Sequence, residues 1–362
     1  PAKLLNFARM NAATSSRPSV LFALLDWGMG HATRTATLIQ HAVDRGWEVH
    51  VGTKGTALAF LKSQFAGQPI TFHDKPGPDI TYAKRGTLFK IAGQMPGFLK
   101  SIADETAWTR TTVEAHGITH IVSDNCYGVH HPEVPAVLMS HQLQLPVPKG
   151  FEGPARLFVQ QHAKKFRTVW VPDDDEARLS GTLAFKNPLP HAQCIGILTR
   201  LPLNAPAGPW KKVGMVSGPE PHRGLMEQAL MAWMKADDEP ALLIAGRPGA
   251  QPQVDGHVTV WPDPTAEELA GALKGADTIV CRSGYSSLLD LAALGKRAIL
   301  IPTPGQPEQV YLAKHWAEAF GMATCTQKQL ESGQLPAPAG AAPLLEANTQ
   351  AQNALEELVA SA

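Results

Sequence analysis

The chain has 362 residues, of which 44% are apolar and 18% are charged, so it can bury a sizeable core and is not a disordered protein. Its 32 Lys and Arg residues balance 32 Asp and Glu residues, and the resulting zero net charge argues against a protein whose main partner is nucleic acid. At about 150 residues per domain, the length predicts two domains.

Short apolar strand candidates alternate with amphipathic helical segments along most of the chain. In the first half, strands are predicted at 19–25, 48–52, 69–72, 119–123, 136–139 and 168–171, and helices at 32–45 and 56–63. In the second half, strands are predicted at 212–217, 241–245, 258–261, 277–281 and 297–301, and a last helix at 344–359. This alternation is typical of parallel sheets covered by helices on both faces.

The prolines of the segment Thr199–Pro209 interrupt the alternation, and we interpret this segment as a linker. We therefore predict one domain over residues 1–200, with a poorly ordered leader over 1–17, and a second domain over 201–343, followed by the helical tail 344–362. No segment approaches the roughly 18 apolar residues of a membrane span. The four widely spaced cysteines predict reduced thiols, and we expect a cytoplasmic protein.

A glycine-rich turn follows the first predicted strand. Gly28 and Gly30 permit a tight turn, and the next helix would offer free N–H groups to an anion. The turn is neither a GxGxxG motif nor a P-loop. Instead His31 and Arg34, three residues apart, share one face of the first helical turn. The pattern indicates an anion site with a nearby imidazole, or simply a glycine turn with a capping His.

Two turns of the second half also follow predicted strands. Gly218 and Arg223 belong to a small, Pro-rich turn that suits a diphosphate or is an ordinary strand–helix connection. Another strand ends at Arg282 and is followed by small polar residues able to contact phosphate oxygens, namely Ser283, Gly284, Ser286 and Ser287. Asp290 lies one helical turn further on, suited to ribose hydroxyls. The loop after the next strand carries Glu308 and Gln309, suited to sugar hydroxyls.

The stretch Cys281–Gln309 closely resembles the donor-binding signature of MurG-like glycosyltransferases of family 28. The turn Gly28–His31, with Arg34, resembles the N-terminal glycine–histidine loop of that family. The resemblance implies an α/β protein of the GT-B fold, in which two Rossmann-like, doubly wound parallel-sheet domains face each other across a cleft. It also implies that the final helix crosses back onto the N-terminal domain, and that the C-terminal domain binds a nucleotide-diphosphate sugar, most often a UDP-sugar.

Carried over by position, the resemblance gives individual residues a role in donor binding. Ser283–Ser287 would approach the diphosphate, and Asp290 would bind the ribose where the family has Glu. Trp261 lies in the loop that meets the uracil ring. Glu308 and Gln309 align with a Gln-Gln pair that contacts the sugar, and the departure at Glu308 leaves N-acetylglucosamine in doubt as the donor sugar.

Transfer of a sugar requires a base for the acceptor hydroxyl and positive groups for the departing diphosphate. His31 is the first candidate for the base, and the residues that could replace it are Asp26, Asp124 and His141. The candidates for leaving-group stabilisation are Arg34, Arg223, Arg282 and the helix N-termini. The resemblance implies transfer without a metal or other cofactor, and the sequence agrees, because it lacks HExxH and clustered Cys/His ligands.

Two motifs resemble metal sites without, in our interpretation, being metal sites. Asp173–Asp175 resembles the metal-binding DxD of the other glycosyltransferase fold, but its acids are predicted to open a helix, where negative charge is favourable. His130 and His131 precede a proline and are predicted to lie in a loop.

The segment Lys84–Ile102 mixes basic and large apolar residues. It would contact anionic lipid at the inner membrane face if the acceptor is lipid-linked, or it is an amphipathic helix packed on its own domain. A second such segment, Arg156–Arg167, is predicted to belong to the core.

Three functions remain open from the sequence. The first is a metal-independent glycosyltransferase that uses a UDP-sugar and an unidentified acceptor. The second is a nucleotide-sugar hydrolase or epimerase on the same scaffold, because a GxGHxxR loop also occurs in a related hydrolase. The third is a non-catalytic nucleotide-sugar-binding protein.

Overall fold

A computed structural model of the chain describes residues 17–26, 28–77, 87–145, 147, 150–218, 220–247 and 250–361, with backbone alone for 87–95. The predicted leader up to residue 16, Trp27, and the beginning of the segment Lys84–Ile102 lie outside the described residues. The last helix of the described chain ends at Ala360.

The first half of the chain forms a parallel sheet of seven strands in the order β3-β2-β1-β4-β5-β6-β7. Its strands are β1 Ser19–Leu24, β2 Glu48–Thr53, β3 Ile70–Asp74, β4 His120–Asp124, β5 Ala136–Met139, β6 Thr168–Val171 and β7 Ala192–Cys194. Its helices are α1 Met29–Asp44, α2 Gly55–Gln64, α3 Thr87–His116, α4 Glu152–Ala163 and α5 Thr182–Phe185. The central strands are buried on both faces, which is why they are continuous apolar runs.

The second half forms another seven-stranded sheet, in the order β10-β11-β9-β8-β12-β13-β14. Its strands are β8 Lys212–Met215, β9 Ala241–Ile244, β10 Gln253–Asp255, β11 Val258–Trp261, β12 Thr278–Cys281, β13 Ile299–Leu300 and β14 Ala323–Thr324. The edge strand β10 is antiparallel to β11, and the other pairs are parallel. The helices are α6 His222–Met234, α7 Ala266–Gly275, α8 Tyr285–Leu294, α9 Pro307–Phe320, α10 Gln327–Glu331 and α11 Thr349–Ala360. The predicted α/β class with two doubly wound sheets is thus observed.

The two halves are joined by packing as well as by the linker. Leu179 and Leu183 precede the linker in sequence, yet they lie in the apolar core of the second half. The indole Nε1 of the fully buried Trp316, on α9, donates to the Leu179 carbonyl at 2.9 Å. In the opposite direction, Ala351 and Leu355 of the final helix α11 pack into the core of the first half. Each half therefore contributes apolar side chains to the core of the other.

Three sequence interpretations need correction or completion. Asp173–Asp175 does not open a helix, because the segment is a turn in which the buried Asp173 carboxylate accepts from the N–H groups of Leu179 and Ser180 at 2.7 Å each. The short strands β7, β10 and β14 were not predicted. Finally, α3 is a helix of 30 residues that continues well beyond Ile102 and contains Pro96.

The other predicted segments lie as follows. In the segment Arg156–Arg167, the rings of Phe158 and His162 pack at 4.2 Å between centroids, and Phe166 is buried in the core of the first half. Among the described residues, no helix has the length and apolar character that a membrane span requires.

Candidate active site

Asp124, at the end of β4, lies at the centre of a hydrogen-bonded cluster on the first half. Its fully buried carboxylate accepts from Arg34 Nε at 2.9 Å, from Arg34 Nη2, and from Thr35 Oγ1 at 2.8 Å. The Nδ1 atom of His31 lies 3.0 Å from Asp124 Oδ1. Burial alone would raise the pKa of Asp124, but the charges and hydrogen bonds of Arg34 and His31 outweigh burial and hold it well below its ordinary value. Asp124 is therefore ionised at neutral pH.

The ring of His31 is oriented by this carboxylate. Its Nδ1 also lies 2.8 Å from Arg34 Nη2, so this nitrogen either accepts from the guanidinium or donates to Asp124; when the second hydrogen of Nη2 is directed to Asp124 Oδ1, Nδ1–H donates to the carboxylate. In that tautomer Nε2 has a free lone pair, and 13% of the side chain is exposed. The pairing is that of a general base oriented by a buried acid, as in catalytic triads.

His141, which follows β5, extends the cluster towards the second half. Arg34 Nη1 lies 3.1 Å from Nδ1 of His141, and because a guanidinium has only donors, that ring nitrogen must accept. The other nitrogen, Nε2, then carries the proton and donates to Glu308 Oε1 at 3.0 Å. The ring stacks on Tyr285, with centroids 4.0 Å apart. Burial lowers the pKa of His141, and Glu308 offsets only part of this effect. Both nitrogens are engaged, so this ring is not available as a base.

Asp26, another candidate base, lies at the start of α2. Its Oδ1 accepts from the Ala57 N–H at 3.2 Å and from Thr56 Oγ1 at 3.3 Å. A Cβ added to Gly55 would collide with Asp26 Oδ2, so the carboxylate packs closely against this turn. Asp26 thus accepts from one backbone N–H and one hydroxyl in the first turn of α2, which is an ordinary structural role.

The N-terminus of α8 presents the small polar residues of the second half. Its N-cap is Gly284, and no side chain caps the helix, so the N–H groups of its first turn, which includes Ser287, are open to an anion. Ser283 Oγ donates a hydrogen bond to the Gln309 carbonyl at 2.8 Å. Ser286 Oγ donates to the Gly30 carbonyl at 2.8 Å, so the glycine turn of the first half contacts this helix terminus directly.

The turn between β8 and α6 lies beside α8. Gly218 has a φ of +97°, and a Cβ there would lie 3.4 Å from Thr303 Oγ1. Arg223 does not extend into this space, because its guanidinium is held by the Ala245 carbonyl at 2.7 Å and by Glu227 at 3.2 Å. Gly218 therefore allows a ligand to approach the backbone of the turn closely. Arg223 instead stabilises the packing of α6.

The Arg282 side chain lies in the protein interior and not at the surface of the turn, where a diphosphate would bind. Only 1% of the residue is exposed, and its guanidinium donates to the His222 carbonyl at 2.9 Å and to Gln327 Oε1 at 2.8 Å. Burial lowers its pKa to about 10. Thr303 Oγ1 and His222 Nδ1 are buried close by and have no hydrogen-bond partner in the part of the chain that the structure describes. These two residues were missed from the sequence, where only their positions just after strands could have indicated them.

Asp290 is hydrogen-bonded to a residue of the linker. Thr199 Oγ1 donates to Asp290 Oδ1, and burial raises the pKa of the carboxyl to about 6, although Thr199 and Arg200 oppose the shift. Trp261 meets Trp210 edge-on, with centroids 5.8 Å apart, and the two rings line a surface cavity of about 370 Å³.

The predicted sugar-binding pair is divided between two places. Glu308, in the first turn of α9, faces the first half, and 32% of its side chain is exposed. Burial would raise its pKa, but the charges of His141, His31 and Arg34 outweigh burial and lower it. Gln309 braces its own loop, because its Oε1 accepts from the Thr303 N–H at 2.9 Å and its Nε2 donates to Gln306 at 2.6 Å.

The metal-like motifs hold no clustered ligands. Glu133 N–H donates to the ring of His131 at 3.2 Å, and the His130 ring packs edge-on against Phe166. Across the described ranges of the chain, no group of three or more His, Cys, Asp or Glu side chains is arranged to hold a metal ion.

Part of the chain matches a known protein family, and most of it is similar to a known enzyme. Residues 263–358 match the model of the glycosyltransferase family 28 C-terminal domain. A UDP-N-acetylglucosamine--N-acetylmuramyl-(pentapeptide) pyrophosphoryl-undecaprenol N-acetylglucosamine transferase of Acidovorax sp. (strain JS42) is 26% identical over 298 residues, which are 76% of this chain and 67% of the relative.

Solved structures match over almost the whole chain. The glycosyltransferase SnogD from Streptomyces nogalater superposes with a TM-score of 0.58 at 15% identity, covering 95% of each chain. MurG of Acinetobacter baumannii superposes with a TM-score of 0.51 at 15% identity, covering 95% of this chain and 93% of that one. The predicted GT-B fold is confirmed. The chain thus has a segment that matches the family 28 C-terminal domain on a GT-B fold, and it is similar to MurG-like glycosyltransferases.

Proposed function

We propose that the protein transfers a sugar from a nucleotide-diphosphate sugar, most simply a UDP-sugar, to a hydroxyl of an acceptor without a metal ion. The observation that carries this proposal is the pair of His31 Nδ1 and Asp124 Oδ1, 3.0 Å apart. His31 follows the glycine turn, and the Gly30 carbonyl of that turn accepts from Ser286 at the N-terminus of α8. A base and an anion-binding helix terminus are thereby adjacent, and sugar transfer needs both.

The chemistry follows from the groups present. His31 Nε2 takes the proton of the acceptor hydroxyl as its oxygen forms a bond to the anomeric carbon. The bond from that carbon to the diphosphate oxygen breaks, and the nucleoside diphosphate leaves with the electron pair. Asp124 stabilises the imidazolium that forms, as the buried acid of a catalytic triad does. The open N–H groups of α8 and the turn at Gly218 stabilise the charge on the leaving diphosphate.

The donor sugar and acceptor are proposed from chemistry and from relatives. The relative's name specifies a UDP-N-acetylglucosamine donor and a pyrophosphoryl-undecaprenol acceptor. We propose a lipid-linked acceptor here too, and action at the cytoplasmic face of the membrane. The carboxylate of Glu308 only accepts hydrogen bonds, whereas a Gln amide also donates, so we expect a sugar that presents hydroxyl groups to this residue.

A hydrolase is the second candidate, because the same geometry serves it. In the tautomer with Nδ1–H on Asp124, His31 Nε2 would activate a water molecule as readily as a sugar hydroxyl. Water in place of the acceptor would then release the free sugar and the nucleoside diphosphate.

A panel of nucleotide sugars, with and without a membrane-lipid extract, separates the two functions. The transferase predicts release of nucleoside diphosphate that depends on the extract and ends in a sugar-labelled lipid. Equal release without the extract, with free sugar as product, would favour the hydrolase. No consumption of any donor under either condition would contradict both.

A further inference from the structure

Glu308, in the second half, contacts the hydrogen-bonded cluster of the first half through His141. Its Oε1 accepts from His141 Nε2 at 3.0 Å, although the residues are 167 positions apart in the sequence. Neither the sugar contact proposed for Glu308 nor proton transfer to His31 requires the hydrogen bond between Glu308 and His141. The contact therefore calls for a role of its own.

The hydrogen bond between Glu308 and His141 belongs to a continuous series of hydrogen bonds. His141 Nδ1 accepts from Arg34 Nη1 at 3.1 Å, and Arg34 Nε donates to Asp124 Oδ2 at 2.9 Å. Asp124 Oδ1 in turn lies 3.0 Å from the ring of His31. Each group is fixed by the next, because Arg34 has only donors and an ionised carboxylate has only acceptors. The donor and the acceptor of each hydrogen bond in this series are therefore defined from Glu308 to His31.

Burial makes this series of hydrogen bonds sensitive to the loss of a member. Arg34, Asp124 and His141 are 3%, 0% and 7% exposed, so water has little access to replace a missing partner. The His141 ring is also clamped face to face on Tyr285, whose hydroxyl donates to the Pro172 carbonyl at 2.9 Å. Tyr285 belongs to the second half, and Pro172 and His141 belong to the first. Both contacts of the ring with the second half depend on how the halves are apposed.

We propose that Glu308 and His141 are positioning residues that couple the apposition of the two halves to the orientation of the catalytic base His31. When the halves meet, Glu308 fixes the proton of His141 on Nε2, so that Nδ1 accepts from Arg34 and Arg34 is aligned on Asp124. When they separate, the ring loses this constraint and His31 loses its fixed orientation. This inference rests on the proposed function for its consequence in catalysis, but its geometry can be tested independently.

The independent test uses nitrogen-15 NMR of the histidine rings in the full chain, with signals assigned from His31→Ala and His141→Phe. The wild type is expected to show a neutral His141 with its proton on Nε2. Glu308→Ala should change the ring-nitrogen signals of both His141 and His31, whereas Glu308→Gln, whose amide oxygen still accepts, should retain them. Glu318→Ala, on the exposed side of α9, is the matched control. Unchanged His31 signals in Glu308→Ala would overturn the proposal, whether or not any donor is consumed.

The kinetic test uses a donor identified from the nucleotide-sugar panel. Glu308→Ala is expected to lower kcat about tenfold or more while the Kd for UDP stays within about threefold of the wild type, with Glu308→Gln restoring most of kcat. The double variant Glu308→Ala, His141→Phe should be no slower than the slower single variant, because both changes break the same series of hydrogen bonds. Additive losses would overturn the coupling. A wild type that consumes no donor would contradict the proposed function, and the NMR result would still decide the positioning role.

Discussion

His31 Nδ1 lies 3.0 Å from Asp124 Oδ1, although 93 positions separate the two residues in the sequence. The contact is made by the sheet order, in which β4 pairs in parallel with β1 and Asp124 lies opposite Leu24. His31 is on the first turn of α1, which follows β1, so both side chains lie at the carboxyl edge of the sheet. Ligands of open α/β sheets bind at this edge.

Asp124→Asn should destabilise the protein and abolish most of its activity. Arg34 would retain a buried charge without its counter-ion, and losing one partner of a buried ion pair costs about 3–5 kcal/mol. His31 would lose its orienting carboxylate, which in a triad lowers kcat about 10⁴-fold. Thermal unfolding and donor turnover check the two effects. Asp277→Asn, at a site where 69% of the side chain is exposed, should change neither. If Asp124→Asn is as stable as the wild type, the ion pair does not have the importance that its burial implies.

Asp290→Asn should stabilise the protein while weakening its response to UDP. The pKa of Asp290 is raised from 3.8 to about 6 in the folded protein, so the folded state binds more protons than the unfolded state between these values. Stability is therefore expected to fall as the pH rises through this window, by up to about 3 kcal/mol. The variant removes that loss and should unfold at a higher temperature than the wild type at pH 7, with no such difference at pH 4.

The same variant tests the ribose role of Asp290. If its carboxylate accepts from ribose hydroxyls, UDP should raise the Tm of Asp290→Asn less than that of the wild type. An equal increase in the two proteins would rule out the ribose contact, whatever the pH dependence of stability.

Acid should destabilise the outer edge of the first sheet. His50 Nδ1 and His73 Nε2 are 3.0 Å apart, and the His116 ring lies 4.8 Å from that of His73. Burial, then the charges of His50 and His116, lower the pKa of His73 to about 4. The unfolded state therefore binds more protons between about pH 6.5 and pH 4, and stability should be lost as the pH falls through this window.

His73→Phe should reduce this dependence on pH, as measured by the urea midpoint at pH 7 and at pH 5. His257→Gln, in the second half, is the control and should keep the wild-type slope. If His73→Phe loses as much stability between the two pH values as the wild type, the histidine cluster is not the cause.

The fold could be predicted wherever apolar runs are buried on both faces. Ala136–Met139, Thr168–Val171 and Val258–Trp261 have the predicted bounds, because such runs belong to the interior of parallel sheets. The edge strands Ala192–Cys194 and Gln253–Asp255 were missed because each has three residues and no continuous apolar run. Pairing with a neighbour, and not local propensity, makes them strands.

The candidate site shows the same division between local and tertiary information. The glycine turn before His31 and the open N-terminus of α8 are local features, and the sequence indicated both. Arg223 and Arg282 follow strands as expected, but their partners come from distant segments, and those partners turn the guanidinium groups towards carbonyls and Glu227. The contact between His141 and Glu308 joins the two halves and has no sequence signal at all.

The role of His31 as the base can be measured by comparing His31→Ala with the wild type in two quantities, the Kd for UDP by calorimetry and the rate of donor consumption. Because the imidazole acts on the acceptor proton and not on the nucleotide, we predict a Kd within about threefold of the wild type and a kcat at least about 100-fold lower. Donor consumption at the wild-type rate by His31→Ala would contradict the role of His31 as the base.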